Sequence, residues 1–384
     1  MEKLEILKDK PLEELTEFFV SLGEKPYRAK QVFKWLMNGA RTWDEMTDLS
    51  LGLRAKLAGT CVIDSLSVAD IAVSEIDGTR KYLFETRDGL YVEAVLMEYY
   101  YGWSLCISSQ AGCRMGCRFC ASGRHGLQRN LTPAEIADQY IICERDVRNG
   151  ADAFGRPLGE SGRVRYVKHT DDEGKSRIGH IVMMGVGEPF DNYENVMTFL
   201  KNITAPEGRN LGRRQITVST CGLTSGMRRF MTDLPQANLS LSLHAPNDEI
   251  RNALMPVGAR HGVRELIAFA REYARVTGRR FTFEYALFDG VNDDLRCADE
   301  LADLLASEDS SANAGSSAAP EFHVNLIPAN AVPELGYAPP PRARVTAFAE
   351  RLLSRGIRTT TRRELGSDIA AACGQLRSEK METF

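Results

Sequence analysis

The sequence predicts an α/β fold, a partial (β/α)6 TIM-like barrel with a small N-terminal helical domain and a short β-hairpin extension. Short apolar strand patterns alternate with amphipathic helical patterns from about residue 103 onwards, which is typical of a parallel sheet wrapped by helices. About six such units follow, too few to close an eight-stranded barrel. We therefore divide the chain into residues 1–62, 63–100 and 101–384.

Residues 1–62 are predicted to form the helical domain, because apolar residues recur there at helical spacing. The segment GEKPYRAKQVFKWLM adds basic residues beside Tyr27 and Trp35. Such a face suits either ordinary solvent exposure or contact with unstacked RNA bases. The residues alone leave both interpretations open.

Residues 63–100 are predicted to form the short antiparallel extension. Apolar and polar residues alternate along this stretch, and the dipeptides Asp77-Gly78 and Asp88-Gly89 interrupt the alternation. Such dipeptides are strong hairpin signals, so we expect two successive turns here.

The main domain, residues 101–384, contains the alternating units. Strands are predicted at SLCIS and at residues 180–185, 215–220, 238–244, 280–287 and 323–328. The first helix is expected to begin after Thr132, because Pro133 suits the first helical position and Glu135 completes a capping box. Two polar, low-complexity stretches at residues 149–178 and 306–321 are interpreted as mobile surface insertions without chemistry.

Composition restricts the possible classes of protein. Nine cysteines in 384 residues fit a reducing cytoplasm better than a disulfide scaffold, and we expect neither a membrane span nor a secretion signal. The net charge of −4 is not that of a general nucleic-acid binder. Any RNA contact therefore requires local basic clusters, for which the candidates are Arg209, Arg213, Arg214, Arg279, Arg280, Arg358, Arg362 and Arg363.

Cys113, Cys117 and Cys120 lie in the stretch GCRMGCRFCASG, four and then three residues apart. A cubane iron–sulfur cluster normally takes four thiolates, so three cysteines leave one iron open to an external ligand. The spacing C-x3-C-x2-C is the signature of the radical S-adenosylmethionine (SAM) enzymes. The alternative is a structural zinc knuckle, which usually draws its ligands from two separated pairs. No second pair of that kind occurs in the chain.

Glycine or polar residues end several of the predicted strands, namely Gly185, Gly187, Glu188, Ser219, Ser242, His244 and Asn330. In NLSLSLH, strand alternation places Ser242 and His244 on the face opposite Leu243. Gly187 permits close backbone approach, and Glu188 can accept a hydrogen bond from a ligand ammonium group. Agreement between several strands indicates a polar ligand at their carboxyl ends.

Two further cysteines draw attention by their settings. Cys106 lies seven residues before the first cluster cysteine, so we expect it near the cluster. Cys373, in SDIAAACGQLR, is flanked by small residues and suits either an exposed thiol on a flexible segment or an inert turn cysteine. Cys61, Cys143 and Cys297 have the neighbours of core thiols, and Cys221 is left undecided.

These motifs together resemble the RlmN family of dual-specificity RNA methyltransferases, radical SAM enzymes that modify carbon 2 of an adenine in 23S ribosomal RNA and in some tRNAs. The matching pieces run from residue 24 to 377 and include LCISSQAGCRMGCRFCASG, GVGEPFDNYENV, ITVSTCG, LSLHAPNDEIRNALMP, VNLIPAN and RRELGSDIAAACGQLR. Val186 stands where many members have methionine.

The resemblance implies roles residue by residue. Cys113, Cys117 and Cys120 would hold a 4Fe-4S cluster, and SAM would be bound by Gly187, Glu188, Ser219, Ser242, Leu243, His244 and Asn330. Cys373 would carry a methyl group, Cys106 would resolve the product and Glu93 would accept a proton. Two SAM molecules would be used per turnover.

The resemblance also implies partners: 23S rRNA and tRNA as substrates, and an electron donor such as a flavodoxin-type reductant. We expect a monomer. Two alternatives stay open at this point. Related antibiotic-resistance enzymes methylate carbon 8 of the same adenine, and a non-catalytic RNA-binding protein with a structural metal would share part of the pattern.

Overall fold

The structure, a computed structural model, describes residues 4–124, 126–159, 170, 174–306, 322–330 and 335–376. The N-terminal part contains strand β1 (Glu5–Ile6), helices α1 (Leu12–Ser21), α2 (Tyr27–Met37) and α3 (Leu51–Thr60), and strand β2 (Cys61–Val62), which pairs in parallel with β1. Ser50 caps α3 by accepting a hydrogen bond from the backbone of Leu53. The helical character predicted for this part is confirmed.

A buried cation attaches this N-terminal part to the rest of the molecule. Lys8 is 2% exposed, and its ammonium lies 3.0 Å from a carboxylate oxygen of Asp64 and also contacts Asp138. Arg145 binds the same Asp64 at 2.6 Å and donates to the carbonyl oxygen of Gly39. Because a buried charge is costly without partners, these contacts define how the N-terminal helices dock.

An antiparallel meander follows, formed by β3 (Leu66–Val73), β4 (Arg80–Thr86), β5 (Tyr91–Tyr99) and β6 (Gly102–Cys106). Asp77-Gly78 and Asp88-Gly89 lie in the first two turns, as predicted, and both glycines have positive φ. The division at residues 62 and 100 stays a prediction, since these strands continue directly into the main sheet.

The main sheet contains ten strands within the described residues, in the order β14-β13-β12-β11-β10-β9-β6-β5-β4-β3. After β6 come a small hairpin, β7 (Gln110–Gly112) and β8 (Leu127–Asn130), and helix α4 (Pro133–Asn149), which has the expected capping box of Thr132 and Glu135. The chain then alternates through β9 (Ile178–Met183), α5 (Tyr193–Thr204), β10 (Ile216–Thr220), α6 (Thr224–Asp233), β11 (Asn238–Ser242), α7 (Asp248–Leu254), α8 (Val263–Thr277), β12 (Phe281–Leu287), α9 (Leu295–Ala306), β13 (Phe322–Pro328), α10 (Arg342–Ser354) and β14 (Arg358–Thr361).

All neighbours from β6 through β14 pair in parallel, so their carboxyl ends lie on one side. The predicted α/β class and open barrel are confirmed. Strand β14 was not predicted, because it consists of arginine and threonines with no buried residue. It is a strand because its backbone pairs with β13, for example Thr359 with Val324.

The two predicted insertions fall largely outside the described residues. Residues 307–321 are not described, and neither are 160–169 and 171–173. In the described part of the first insertion, Asp152 is 5% exposed and pairs with Arg80 of β4 and with Arg156. That portion is therefore packed against the antiparallel strands.

Candidate active site

The three motif cysteines lie on the loop between β7 and β8. The backbone of Cys113 donates to the carbonyl oxygen of Gly126 at 3.0 Å, and Cys120 donates to Cys117 at 3.1 Å. Gly112 has φ +77°, and a Cβ atom there would collide with the carbonyl oxygen of Gly126. Glycine is therefore required for the hairpin to close and present the cysteines.

Cys113, Cys117 and Cys120 line one cavity of about 160 Å³, which we call the cluster cavity. In the part of the chain that the structure describes, no three His, Cys, Asp or Glu side chains converge closely enough to hold one metal ion. A cubane distributes its thiolates over separate irons, so cysteines arranged around a cavity fit a cluster better than a single zinc. Burial raises the pKa of Cys113 to about 12, so ionised thiols here need a bound cation.

The carboxyl ends of β9 to β13 form the other wall of the cluster cavity. Of the residues predicted to bind SAM, those that line it are Gly187, Glu188, Ser219, Ser242, His244 and Asn330. Residues distant in sequence therefore meet at one site because parallel strands end on the same side.

Gly187 and Glu188 form a tight turn after β9. Gly187 has φ +106°, and a Cβ atom there would lie 2.8 Å from the backbone nitrogen of Gln110. The carboxylate of Glu188 accepts from the backbone nitrogens of Phe190 at 3.1 Å and Cys221 at 2.8 Å. Burial nevertheless raises the pKa of Glu188, so a cationic ligand would favour its charged form.

His244 follows β11 with φ +57°, an unusual conformation for a residue that is not glycine. Its Nδ1 accepts from the backbone of Ala286 at 2.9 Å, which assigns the proton to Nε2. Burial, followed by the charge of Arg251, lowers the pKa of His244 to about 3. The imidazole is therefore neutral and can act as a hydrogen-bond donor into the cavity.

Leu243 is the one predicted SAM-binding residue that does not line the cluster cavity. Its side chain is fully buried in the core, while its carbonyl oxygen accepts from Arg251 at 2.5 Å. The side chain therefore does not reach the cluster cavity. The predicted contact of Leu243 with SAM stays a prediction and would have to be made by its backbone.

The C-terminal segment lies across the cluster loop. The carbonyl oxygen of Gly374 accepts from Ala121 at 2.8 Å, and that of Leu376 accepts from the Ser122 hydroxyl at 2.9 Å. Asn330 donates its side-chain amide to the carbonyl oxygen of Cys373 at 3.3 Å. These three bonds hold Cys373 at the edge of the cluster cavity, which it lines.

Cys373 also lines a second cavity of about 40 Å³ together with Cys106, which we call the two-cysteine cavity. Both thiols are free. Burial, and then the charge of Cys373, raises the pKa of Cys106 to about 12. The two cysteines far apart in sequence therefore share one small space, and of the two only Cys373 also faces the cluster cavity.

Glu93 lies on β5, on the same face as Val95 and Met97, which line the two-cysteine cavity. It is 2% exposed, and its carboxylate lies 3.3 Å from the ammonium of Lys81. Glu93 does not line the two-cysteine cavity itself. It lies two residues before Val95 on the same face of β5, next to the wall of that cavity.

Comparison with known proteins identifies the family. Residues 6–63 match the ribosomal RNA large subunit methyltransferase N-terminal domain, and residues 107–299 match the radical SAM superfamily. A probable dual-specificity RNA methyltransferase RlmN from Pelotomaculum thermopropionicum is 45% identical over 372 residues, which are 97% of this chain and 91% of the relative. One with the same name from Bacillus subtilis is 42% identical, covering 97% and 92%. The chain belongs to the RlmN family.

A crystal structure of a radical SAM methyltransferase from Sphaerobacter thermophilus has the same architecture as this RlmN-family chain. The TM-score is 0.84 at 41% identity, with 97% of this chain and 99% of the other covered. The likeness extends over the N-terminal helices, the antiparallel strands and the parallel sheet together. In the described residues, no helix is long and apolar enough to cross a membrane.

Sequence reasoning missed Arg251, which binds residues that line the cluster cavity of this RlmN-family chain. Its guanidinium is 1% exposed and donates to the carbonyl oxygens of Cys221 at 2.6 Å, Ser242 at 2.7 Å and Leu243. These carbonyls terminate β10 and β11, so Arg251 holds two strand ends together. A lone arginine in an amphipathic helical pattern gave no signal for this role.

Sequence reasoning assigned Arg362 to an exposed basic cluster, but the structure places it beside Cys373. It is half-buried, and the charge of Cys373 is the main cause that raises its pKa. Cys221, left undecided from sequence, also lines the cluster cavity. Cys61, Cys143 and Cys297 are buried, as predicted, and line neither of the two cavities.

Proposed function

We propose that this chain methylates carbon 2 of an adenine in 23S rRNA and in certain tRNAs, through a methyl group carried on Cys373. The observation that carries the proposal is that Cys373 lines both the cluster cavity and the two-cysteine cavity. A methyl carrier must contact the SAM site and the resolving thiol, and Cys373 alone among the nine cysteines satisfies both needs in the described residues.

Cys113, Cys117 and Cys120 would hold the 4Fe-4S cluster, which when bound supplies the electron for reductive cleavage of SAM. Glu188 would accept from the amino group of SAM, while Ser219, Ser242 and the neutral His244 would orient the rest of the ligand. Two SAM molecules serve one turnover in this scheme, one as methyl donor and one as radical source.

Cys373 acts first as a nucleophile. Its thiolate attacks the methyl carbon of SAM, the sulfur–methyl bond forms, and S-adenosylhomocysteine leaves with the electron pair of the broken bond. Asn330 holds the backbone of Cys373 in place during this step through its amide hydrogen bond. The methyl group on Cys373 then gives a hydrogen atom to a 5′-deoxyadenosyl radical derived from the second SAM, which leaves as 5′-deoxyadenosine. The remaining methylene radical forms a bond to carbon 2 of the adenine.

Glu93 and Cys106 complete the reaction. Glu93 takes the proton from the ring carbon, and the ammonium of Lys81 lies 3.3 Å from its carboxylate. The Cys106 thiolate then attacks the sulfur of Cys373, so a disulfide forms and the sulfur–carbon bond breaks with its electron pair left on the carbon, which takes up a proton. The unpaired electron that the radical addition left on the ring would return to the electron donor. The carbon remains on the ring as the methyl group, and the disulfide is afterwards reduced.

Two variants test the relay. Cys106→Ala should accumulate a covalent RNA–protein adduct on Cys373, because the sulfur–carbon bond cannot be broken. Cys373→Ala should lose methyl transfer to RNA and keep its iron and sulfide. Cys297→Ala, which removes a buried thiol on α9, is the matched control and should behave as the unaltered protein. Adduct-free, active Cys106→Ala protein would remove Cys106 from the mechanism.

Mass analysis of the modified nucleotide decides the position of methylation. The proposal expects 2-methyladenosine, and 8-methyladenosine would instead assign the chain to carbon-8 chemistry. Iron and sulfide content, with SAM cleavage under anaerobic reduction, separates an enzyme from a non-catalytic RNA-binding metalloprotein. A flavodoxin-type reductant as electron donor, a monomeric state and a cytoplasmic location complete the proposal.

A further inference from the structure

A third cavity of about 640 Å³ lies inside the open barrel, at the amino ends of the parallel strands. We call it the lumen cavity. Its wall includes His180, Thr217, Asn238, Thr282, His323 and Asn325, which come from five different parallel strands. Closed barrels of this type fill their interior with branched apolar side chains, so a polar and open lumen needs a separate explanation.

The lumen cavity adjoins the two cavities of the candidate active site, with shared side chains between them. Met184, Glu284 and Arg362 line both the lumen cavity and the cluster cavity. Met97, Tyr99, Met184 and Arg362 line both the lumen cavity and the two-cysteine cavity. Along β12 alone, Thr282, Glu284 and Ala286 lead on one face from the lumen cavity to the cluster cavity.

The lumen cavity is electropositive. Arg279, Arg280 and Arg362 line it, against the single carboxylate of Glu284, whose pKa is raised by burial. Burial, with the charges of Arg280 and Arg358, lowers the pKa of His323 to about 4. The lowered pKa of His323 reflects the positive potential of these arginines, and a positive potential would attract phosphate groups.

Aromatic rings and buried polar atoms accompany this charge. Tyr99 and Tyr101 are stacked with ring centres 5.2 Å apart, and His180 meets Tyr101 edge-on. In the described residues, Nδ1 of His323, which lines the lumen cavity, is buried without a hydrogen-bond partner. An unpartnered buried polar atom is costly, so the wall of the lumen cavity keeps polar capacity that its own side chains do not use.

The opposite approach to Cys373 is covered by the chain itself. Gly374 and Leu376 are bonded to the cluster loop through Ala121 and Ser122, so this segment stands between Cys373 and solvent on that side. The two-cysteine cavity, at about 40 Å³, is much smaller than the lumen cavity of about 640 Å³, so the lumen cavity offers the roomier approach for a nucleotide. Met184 and Arg362 have flexible side chains, and their rotation would join it to the lumen cavity.

We propose that the substrate RNA reaches Cys373 through the lumen cavity, with its phosphates at Arg279 and Arg280 and its extruded adenosine passing between Met184 and Arg362. This inference rests on the proposed function, because it takes the substrate to be an adenine in RNA that must leave its stack to react. The lumen polar groups and the Tyr99–Tyr101 stack then hold the nucleotide by hydrogen bonding and stacking.

Two variants and one control test the route. Arg280→Glu reverses a charge at the mouth of the lumen cavity, and Thr282→Trp fills the lumen below Glu284. Arg275→Glu makes the same charge reversal on an exposed part of α8 and is the control. Each protein is reconstituted, and two rates are measured: methylation of Cys373 from SAM without RNA, by mass spectrometry, and methylation of transcribed 23S rRNA.

Arg280→Glu should lower kcat/KM for the rRNA about tenfold or more at 0.15 M salt, with a shallower salt dependence, since phosphate contacts dominate that dependence. Thr282→Trp should abolish rRNA methylation. Both should methylate Cys373 at the normal rate, and Arg275→Glu should match the unaltered protein in both rates. Normal rRNA methylation by Arg280→Glu, or an equal loss in Arg275→Glu, would overturn the route. Failure of the unaltered protein to methylate Cys373 would instead overturn the proposed function.

Discussion

The carboxyl and amino ends of the same parallel strands enclose cavities of opposite character. At the carboxyl ends, the cluster cavity is about 160 Å³, bounded by cysteines and strand-end turns, and Arg251 is buried beneath those strand ends and donates to their backbone carbonyls. At the amino ends, the lumen cavity is about 640 Å³, and its arginines Arg279 and Arg280 lie at least partly exposed. The strand ends at the carboxyl side are thus fixed by buried hydrogen bonds, whereas the amino side presents partly exposed positive charge to a larger cavity.

The largest expected effect compares the two arginine settings. Arg251→Met should lower the free energy of unfolding by about 4 kcal/mol, because three strand-end carbonyls lose a charged donor in the interior. Arg279→Met, which loses one bond to Asn238 on a partly exposed side chain, should cost about 1 kcal/mol. Urea unfolding of the two variants measures both values. Equal losses of unfolding free energy in the two variants would contradict a difference in rigidity between the carboxyl and amino ends of the strands.

Two glycines with positive φ offer a smaller contrast. At the carboxyl end, Gly187→Ala places a methyl group 2.8 Å from the backbone nitrogen of Gln110, so about 3 kcal/mol of stability should be lost. At the amino end, Gly278→Ala meets nothing within 4 Å, and only the backbone strain of about 1 kcal/mol remains. Equilibrium dialysis should also show weakened SAM binding for Gly187→Ala and not for Gly278→Ala. Matching SAM affinities would show that the Gly187 turn is not part of the ligand site.

The smallest expected effect concerns two histidines. The pKa values of His244 and His323 are lowered to about 3 and about 4, the first by burial and Arg251, the second by burial and two arginines near the lumen. Arg280→Ala should raise the pKa of His323 by about half a pH unit and leave that of His244 unchanged. Titration of the ring carbon signals by NMR measures both, and a change at His244 would count against separate electrostatic environments.

The same values give the sign of a pH dependence. A histidine whose pKa is lowered on folding favours the neutral form in the native state. The contribution of His323 to the free energy of unfolding is fully present above the unfolded pKa of 6.5. This contribution declines as the pH falls towards 4, because the unfolded chain takes up the proton first. Arg280→Ala should make that decline shallower, which urea midpoints between pH 7 and pH 4 would show.

Local patterns were sufficient for most of the elements. Strand alternation predicted a strand at 280–287 against the observed Phe281–Leu287, and the capping box located the start of α4. The sequence did not predict β14, because its residues are all polar and its strand conformation depends on pairing with β13. The sequence did not predict the positions of Arg251 and Arg362 for a related reason. Whether a charged side chain is buried depends on its surroundings in the fold, and the sequence pattern does not show it.

The sequence by itself determined the cluster loop, the alternation of strands and helices, and the polar strand ends, because each depends on residues within a few positions of one another. Only the tertiary structure decided that Cys106 and Cys373 share a cavity, that the side chain of Leu243 packs in the core, and that Arg362 lies beside Cys373. It also decided that the lumen cavity lies next to these cavities and is lined by Arg279, Arg280 and Arg362. Strand alternation tells which residues share a face, but the curvature of the sheet and the path of the C-terminal segment determine which faces meet.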